Sequence, residues 1–125
     1  MKKTKVEIKS ESTEQFFDRL RSHARAMDRG GKLPTGITIS FEDPLEMLSV
    51  LTVERLRLLK QIKQETQQIS VLARSLKREV RAVSRDVLLL EKAGLVKTSY
   101  ANNPGHGRMK LVEPVAQEYK LVANL

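Results

Sequence analysis

The 125-residue chain contains no cysteine, which excludes disulfides and thiolate metal sites and fits a reducing compartment. It holds only two histidines, His23 and His106, far apart in sequence and without an HxxxH or Cys/His cluster. No metal site is therefore expected. Aromatic residues make up 4% of the chain, so aliphatic side chains must fill its core. No apolar run approaches the ~20 residues that span a bilayer. The basic start MKKTKVEIKS leads into no apolar stretch, so it does not have the form of a signal peptide. A cytoplasmic protein without membrane segments is expected.

Catalytic patterns are missing too. GxGxxG and the Walker pattern are absent, and Gly105-His106-Gly107 is too short for a phosphate loop. Ser84 has no neighbouring histidine. The pair Glu42-Asp43 is better explained by helix capping than by acid–base work. The chain is expected to be no enzyme and to carry no cofactor.

What is present is charge, unevenly placed. The formal net charge is +8. Residues 1–53 carry nine Lys/Arg against eight Asp/Glu, residues 54–97 eleven against five, and residues 98–125 three against two. The excess is thus concentrated in the middle third. Localised basicity is the electrostatic footprint of a surface that binds a polyanion.

Hydrophobic periodicity and stop signals predict the elements. TKVEIK (4–9) alternates as a strand. Ser12 caps a helix, with Gln15 three residues on as a capping box. That helix places Phe16, Leu20, Ala24 and Met27 on one side and stops at Gly30-Gly31. GITISF (36–41) is a strand. Asp43-Pro44-Leu45-Glu46 starts a short helix. Thr52 caps the next, with Leu56, Leu59 and Ile62 inward. Residues 65–68 are a polar break, and Ser70 stands where it would cap the helix VLARSL. A tight link at Lys77-Arg78 leads to a long helix over 79–93, which Gly94 ends. LVKTSY and RMKLVE follow as strands around the turn cluster ANNPGHG, and EYKLVANL is a final strand.

The long helix segregates its side chains. Val80, Val83, Val87 and Leu90 form one stripe, while Arg78, Arg81, Arg85 and Lys92 fall in a sector about 60° wide roughly opposite. Such a face also suits a helix that only meets water, with local pairing of the Glu79–Arg81 kind. The surrounding order weighs against that: from Thr52 to Glu113 it runs helix, short helix, turn, long helix, hairpin. That is the order of a winged helix-turn-helix, whose second helix enters the major groove. The expected fold is α+β, mainly α: a winged helix-turn-helix over 52–113, an N-terminal helix/strand extension over 1–51, and a C-terminal strand over 114–125.

The string ISVLARSLKREVRAVSRDVLLLEKAGLVKTS resembles the helix-turn-helix of MarR-like and ArsR-like prokaryotic regulators. The matching positions are Ile69, Leu72, Ala73, Leu76, Val80, Leu90 and Gly94-Leu95-Val96. The wing NPGHGRMKLVEP and the upstream FFDRLRSHARAMDRGGKLP…ISFEDPLEMLSVLT are similar to one subgroup of small bacterial and archaeal MarR-like regulators. The resemblance covers the chain from about Phe16 onward. It implies a sequence-specific transcriptional regulator, a repressor, bound to double-stranded DNA. The expected DNA contacts are Ser70, Lys77, Arg78, Arg81, Ser84 and Arg85 around the helix-turn-helix, with His106, Arg108 and Lys110 on the wing 101–110. Arg81 and Arg85 are placed to reach guanine edges. A homodimer built from the N-terminal elements and the final strand would present two long helices to successive major grooves. Two other classes stay open: an antitoxin that binds a toxin protein and represses its own operon, and a winged helix that docks an acidic protein.

Overall fold

A computed structural model describes residues 4–31, 36–103, 105 and 107–125. The fold is mixed α/β, with more helix than strand. The chain divides into two compact units, one formed by residues up to Ser49 with Glu118–Leu125, the other by Val50–Gln117.

The first unit is built on a three-stranded parallel sheet. Its strands are β1 (Lys5–Ser10), β2 (Ile37–Phe41) and β6 (Glu118–Val122), in the order β2-β1-β6. The final strand thus returns to pair with the first, Val6 lying opposite both Ile37 and Tyr119. Alternation along β1 buries Val6, Ile8 and Ser10 on one face and leaves Glu7 and Lys9 on the other. Ser10 and Asn124 fasten the C-terminal segment. The Asn124 amide N–H donates to Ser10 Oγ at 2.7 Å, and Asn124 Nδ2 donates to the Ser10 carbonyl at 3.1 Å.

Between β1 and β2 lies α1 (Thr13–Asp28). Its N-terminus carries the expected capping box: Gln15 N–H donates to Ser12 Oγ at 3.1 Å, and Ser12 N–H to Gln15 Oε1 at 2.9 Å. The apolar stripe of α1 is left largely open by the described residues. No residue of the helix is buried, and Leu20, Ala24 and Met27 are exposed. After β2, Asp43 Oδ1 accepts from Leu45 N–H and starts α2 (Pro44–Val50), with Pro44 in the first helical position.

The second unit holds α3 (Val53–Ile62), β3 (Gln67–Gln68), α4 (Ile69–Leu76), α5 (Val80–Lys92), β4 (Val96–Asn103) and β5 (Gly107–Pro114). Strands pair antiparallel in the order β3-β5-β4. The polar break expected at 65–68 contains β3, which pairs with Leu111 and Val112. The core is aliphatic: Leu58, Leu59, Ile62, Leu72, Val83, Val87, Leu90, Leu95, Val96 and Val112 are buried. Each such side chain contributes roughly 1.5–3 kcal/mol on leaving water. Leu56, expected inward, is only half-buried, and Leu58, two residues on, is buried. Val80, expected in the core stripe, is exposed because it begins α5, where the helix N-terminus leaves the core.

Both turns that set α5 are Schellman closures. At the end of α4, Lys77 takes a left-handed conformation (φ 55°, ψ 44°), Lys77 N–H donates to Arg74 O, and Arg78 N–H donates to Ala73 O. At the end of α5, Gly94 (φ 84°) plays the same part, with Gly94 N–H on Glu91 O and Leu95 N–H on Leu90 O.

Candidate nucleic-acid interface

Burial of Val83, Val87 and Leu90 fixes the rotation of α5. Arg81, Arg85 and Lys92 consequently face solvent. Among the described residues, no acidic side chain forms an ion pair with Arg81 or Arg85. Leu88 is also exposed, and it lies about 20° from Arg81 on an ideal helix. The outer face of α5 is therefore cationic with one apolar side chain at its edge, beside Arg81.

Arg78 departs from the expected sector. It precedes α5, and its Nη2 donates to Asp86 Oδ2 at 2.8 Å, with Glu54 Oε2 at 4.0 Å from its Nε. Asp86 also accepts from Arg55 Nε at 3.1 Å, and Arg55 Nη1 donates to the Val50 carbonyl at 3.1 Å. The Asp86 side chain is only 12% exposed and that of Arg78 21%. One carboxylate thus ties α3, the α4–α5 turn and α5 together. This removes Arg78 from the outward-facing cations and makes it part of the frame that holds them. Its Nη1 is buried with no hydrogen-bond partner.

Ser70 is not the cap of α4. Gln68 holds the N-cap position, and Ser70, in the first turn, donates from its hydroxyl to Gln68 Oε1 at 3.3 Å. It remains exposed at the helix N-terminus. Lys77 is exposed on the turn, and Ser84 is half-buried. Ser70, Ser84 and Val80 line a shallow cleft of about 360 Å³ together with Gln68, Ile69, Arg108, Met109 and Lys110. The structure thus brings the start of α4, the first turns of α5 and the hairpin around one concavity.

The hairpin supplies the far wall. Register pairs Tyr100 with Lys110 and Asn102 with Arg108. Alternation puts these four on the face that buries Val96 and Val112 nearer the core. The exposed Tyr100 ring lies 5.6 Å from the Arg108 guanidinium carbon and 6.0 Å from Lys110 Nζ, close enough for cation–π attraction. Tyr100 escaped the sequence reading: a hairpin register centred on ANNPGHG would have set it against Arg108, and the observed register sets it against Lys110. His106 lies outside the described residues. At its base the hairpin is held to α5 by Glu91, whose Oε2 accepts from Thr98 N–H at 3.1 Å and from the Thr98 hydroxyl.

Residues 50–116, more than half of the chain, match the family described as HVO_A0114. This chain belongs to the HVO_A0114 family. The match runs from the end of α2 through β5, so it contains the arginines of α5 and the hairpin wall. The parallel sheet and α1 lie outside the part that places the chain in HVO_A0114. Among solved structures, the chain is similar to a possible transcriptional regulator from Methanosarcina mazei Go1. The two are 23% identical, with a TM-score of 0.49, over 54% of this chain and 61% of that one. The overlap is less than two thirds of that protein's length. No curated protein matches. Among the described residues, no helix is long and apolar enough to cross a membrane, and no three His, Cys, Asp or Glu side chains converge as metal ligands would.

Proposed function

We propose that the chain is a sequence-specific DNA-binding transcriptional regulator, a MarR-like repressor acting as a homodimer in the cytoplasm. Residues 52–113, within the unit Val50–Gln117, are its winged helix-turn-helix. In this reading α4 and α5 are the helix-turn-helix pair, α5 lies in the major groove, and the β4–β5 hairpin is the wing. The observation that carries it is one cleft walled by the start of α4, the first turns of α5 and the cationic hairpin. Arg108 and Lys110 line it together with Val80 and Ser84 of α5, Tyr100 stands against both hairpin cations, and Arg81 and Arg85 are exposed on the same helix.

Each part has a physical task. Arg81 and Arg85 reach base edges, where a bidentate arginine–guanine pair discriminates by about 1–3 kcal/mol. Lys77, Arg108 and Lys110 neutralise phosphates, and the N-terminus of α4 at Ser70 offers N–H groups to a phosphate. Ser84 sits at the edge of the reading face. Tyr100 keeps the wing cations gathered.

The test is fluorescence anisotropy of a labelled duplex from upstream of the protein's own reading frame, titrated at several salt concentrations. Binding should weaken steeply, with about −0.9 in log–log slope for every phosphate neutralised. A flat salt response would overturn the mechanism.

A further inference from the structure

A 16-residue helix with no buried residue is marginal in water, because most helical stability in proteins comes from a packed apolar face. Its side-chain hydrogen bonds to its own unit run from Arg19 to Glu11 and from Thr13 to Glu42, with Phe16 and Ala26 half-buried beside them. Yet α1 carries an apolar seam. Phe17, Leu20, Ala24 and Met27 follow the 3-4-3 spacing of a two-stranded coiled coil. The three large members are 49%, 43% and 56% exposed. The seam needs a cover that the described chain does not supply.

Charge decides which cover fits. The flanks of α1 balance Glu14, Asp18 and Asp28 against Arg19, Arg21 and Arg25. That is unlike the cationic polar face of helices that lie on anionic membranes. With Phe17 and Ala24 at a positions and Leu20 and Met27 at d positions, the flanking e positions are Glu14, Arg21 and Asp28, and His23 is at g. An antiparallel pair in full overlap would set Arg21 near the partner's Arg21 and Asp28 near the partner's Glu14, both repulsive. A parallel pair sets His23 against the partner's Asp28 on each side and separates the like charges.

We propose that α1 pairs in parallel with α1 of a second copy of this chain, through Phe17, Leu20, Ala24 and Met27. This rests on the homodimer part of the proposed function, and its test needs no DNA, so the two can fail separately.

The absence of cysteine makes the test direct. Full-length Phe17→Cys and Met27→Cys chains are oxidised mildly and run on non-reducing gels, with the exposed Arg25→Cys, on the outer side of α1, as control. Parallel pairing predicts that Phe17→Cys and Met27→Cys each form a covalent dimer alone, while Arg25→Cys does not. A cross-link only when the two seam variants are mixed would mean an antiparallel pair and overturn the proposal. Cross-linking no better than the control would mean that another protein covers the seam, and would overturn it too. Sedimentation equilibrium of cysteine-free chains adds a second reading. Wild type should run at twice the chain mass and Leu20→Asp at half of that, with the circular dichroism of the remaining helices retained. A wild type that stays at single mass, or a Leu20→Asp that stays double, contradicts the pairing.

Discussion

Arg78 Nη2 donates to Asp86 Oδ2 at 2.8 Å, across the turn that separates α4 from α5. Asp86 accepts from Arg55 as well, so a single carboxylate compensates two guanidinium groups from two other segments. Removing it takes from both guanidinium groups their buried carboxylate, leaving Arg78 with Glu54 at 4.0 Å and Arg55 with the Val50 carbonyl among its contacts. Asp86→Ala should destabilise the second unit by about 3 kcal/mol, at the low end of the cost of breaking a buried pair because both side chains keep some water contact. Urea denaturation followed by circular dichroism checks this. A loss below about 1 kcal/mol, the value of an ordinary surface pair, would contradict the framing role.

The same contact separates Arg78 from the arginines beyond it. Arg78→Ala is expected to lower thermal stability while leaving the ratio of affinities for specific and scrambled duplex unchanged under conditions where it is folded. Anisotropy titrations of Arg78→Ala beside Arg81→Ala check the split. Equal loss of discrimination in the two variants would place Arg78 on the DNA after all.

Lys77 is the one non-glycine residue with positive φ among the described residues, and it occupies the position that glycine fills at the end of α5. A left-handed conformation costs an ordinary residue about 1–2 kcal/mol. Lys77→Gly should therefore stabilise the unit by up to about 1 kcal/mol after the greater entropy of unfolded glycine is counted. Lys77→Val should destabilise it by more. Melting temperatures of the two variants should move in opposite directions.

Glu11 offers a pH test of the first unit. Its burial pushes the carboxyl pKa up, but hydrogen bonds from Arg19 and Ser40 and the charges of Arg19 and Lys9 outweigh this and hold it below the ordinary glutamate value. A depressed folded pKa means stability that is complete above the unfolded value and is lost as pH falls through the folded one. The stability gap between wild type and Glu11→Gln should be constant near neutrality and close in acid. A gap independent of pH down to the acid transition would show that the Glu11 charge contributes nothing.

Arg108 and Lys110 should act differently from the arginines of α5. Arg108→Ala/Lys110→Ala is expected to weaken specific and scrambled duplexes alike and to reduce the log–log salt slope by about 1.8, the value for two phosphate contacts. A change in sequence preference with an unaltered slope would mean that the hairpin reads bases instead.

How far the sequence foretold these features depends on the range of the forces involved. Local signals were legible: the Ser12–Gln15 capping box, the Thr52 cap, the Gly94 stop and the hairpin around ANNPGHG all depend on a few neighbouring residues. Long-range facts were not. Two glutamines carry no strand signal, and Gln67–Gln68 becomes a strand only because β5 offers it an edge. Asp86 sits off the arginine sector, and nothing nearby in sequence marks it as buried; its partner Arg55 lies 31 residues away. Periodicity placed Val80 in the stripe correctly by angle, but the core ends before the first turn of α5. For α1 the pattern showed an apolar side without showing that the described residues leave it largely open.

The central claim is that the outward arginines of α5 read sequence. Its most direct measurement is the affinity ratio between the protein's own upstream duplex and a scrambled duplex, for wild type and for Arg81→Ala/Arg85→Ala, by anisotropy at two salt concentrations. Wild type should prefer its own DNA, and the double variant should lose that preference while keeping most of its salt-sensitive, non-specific binding. Failure of wild type to bind either duplex at low salt would contradict the account and turn attention to an acidic protein partner for the same face.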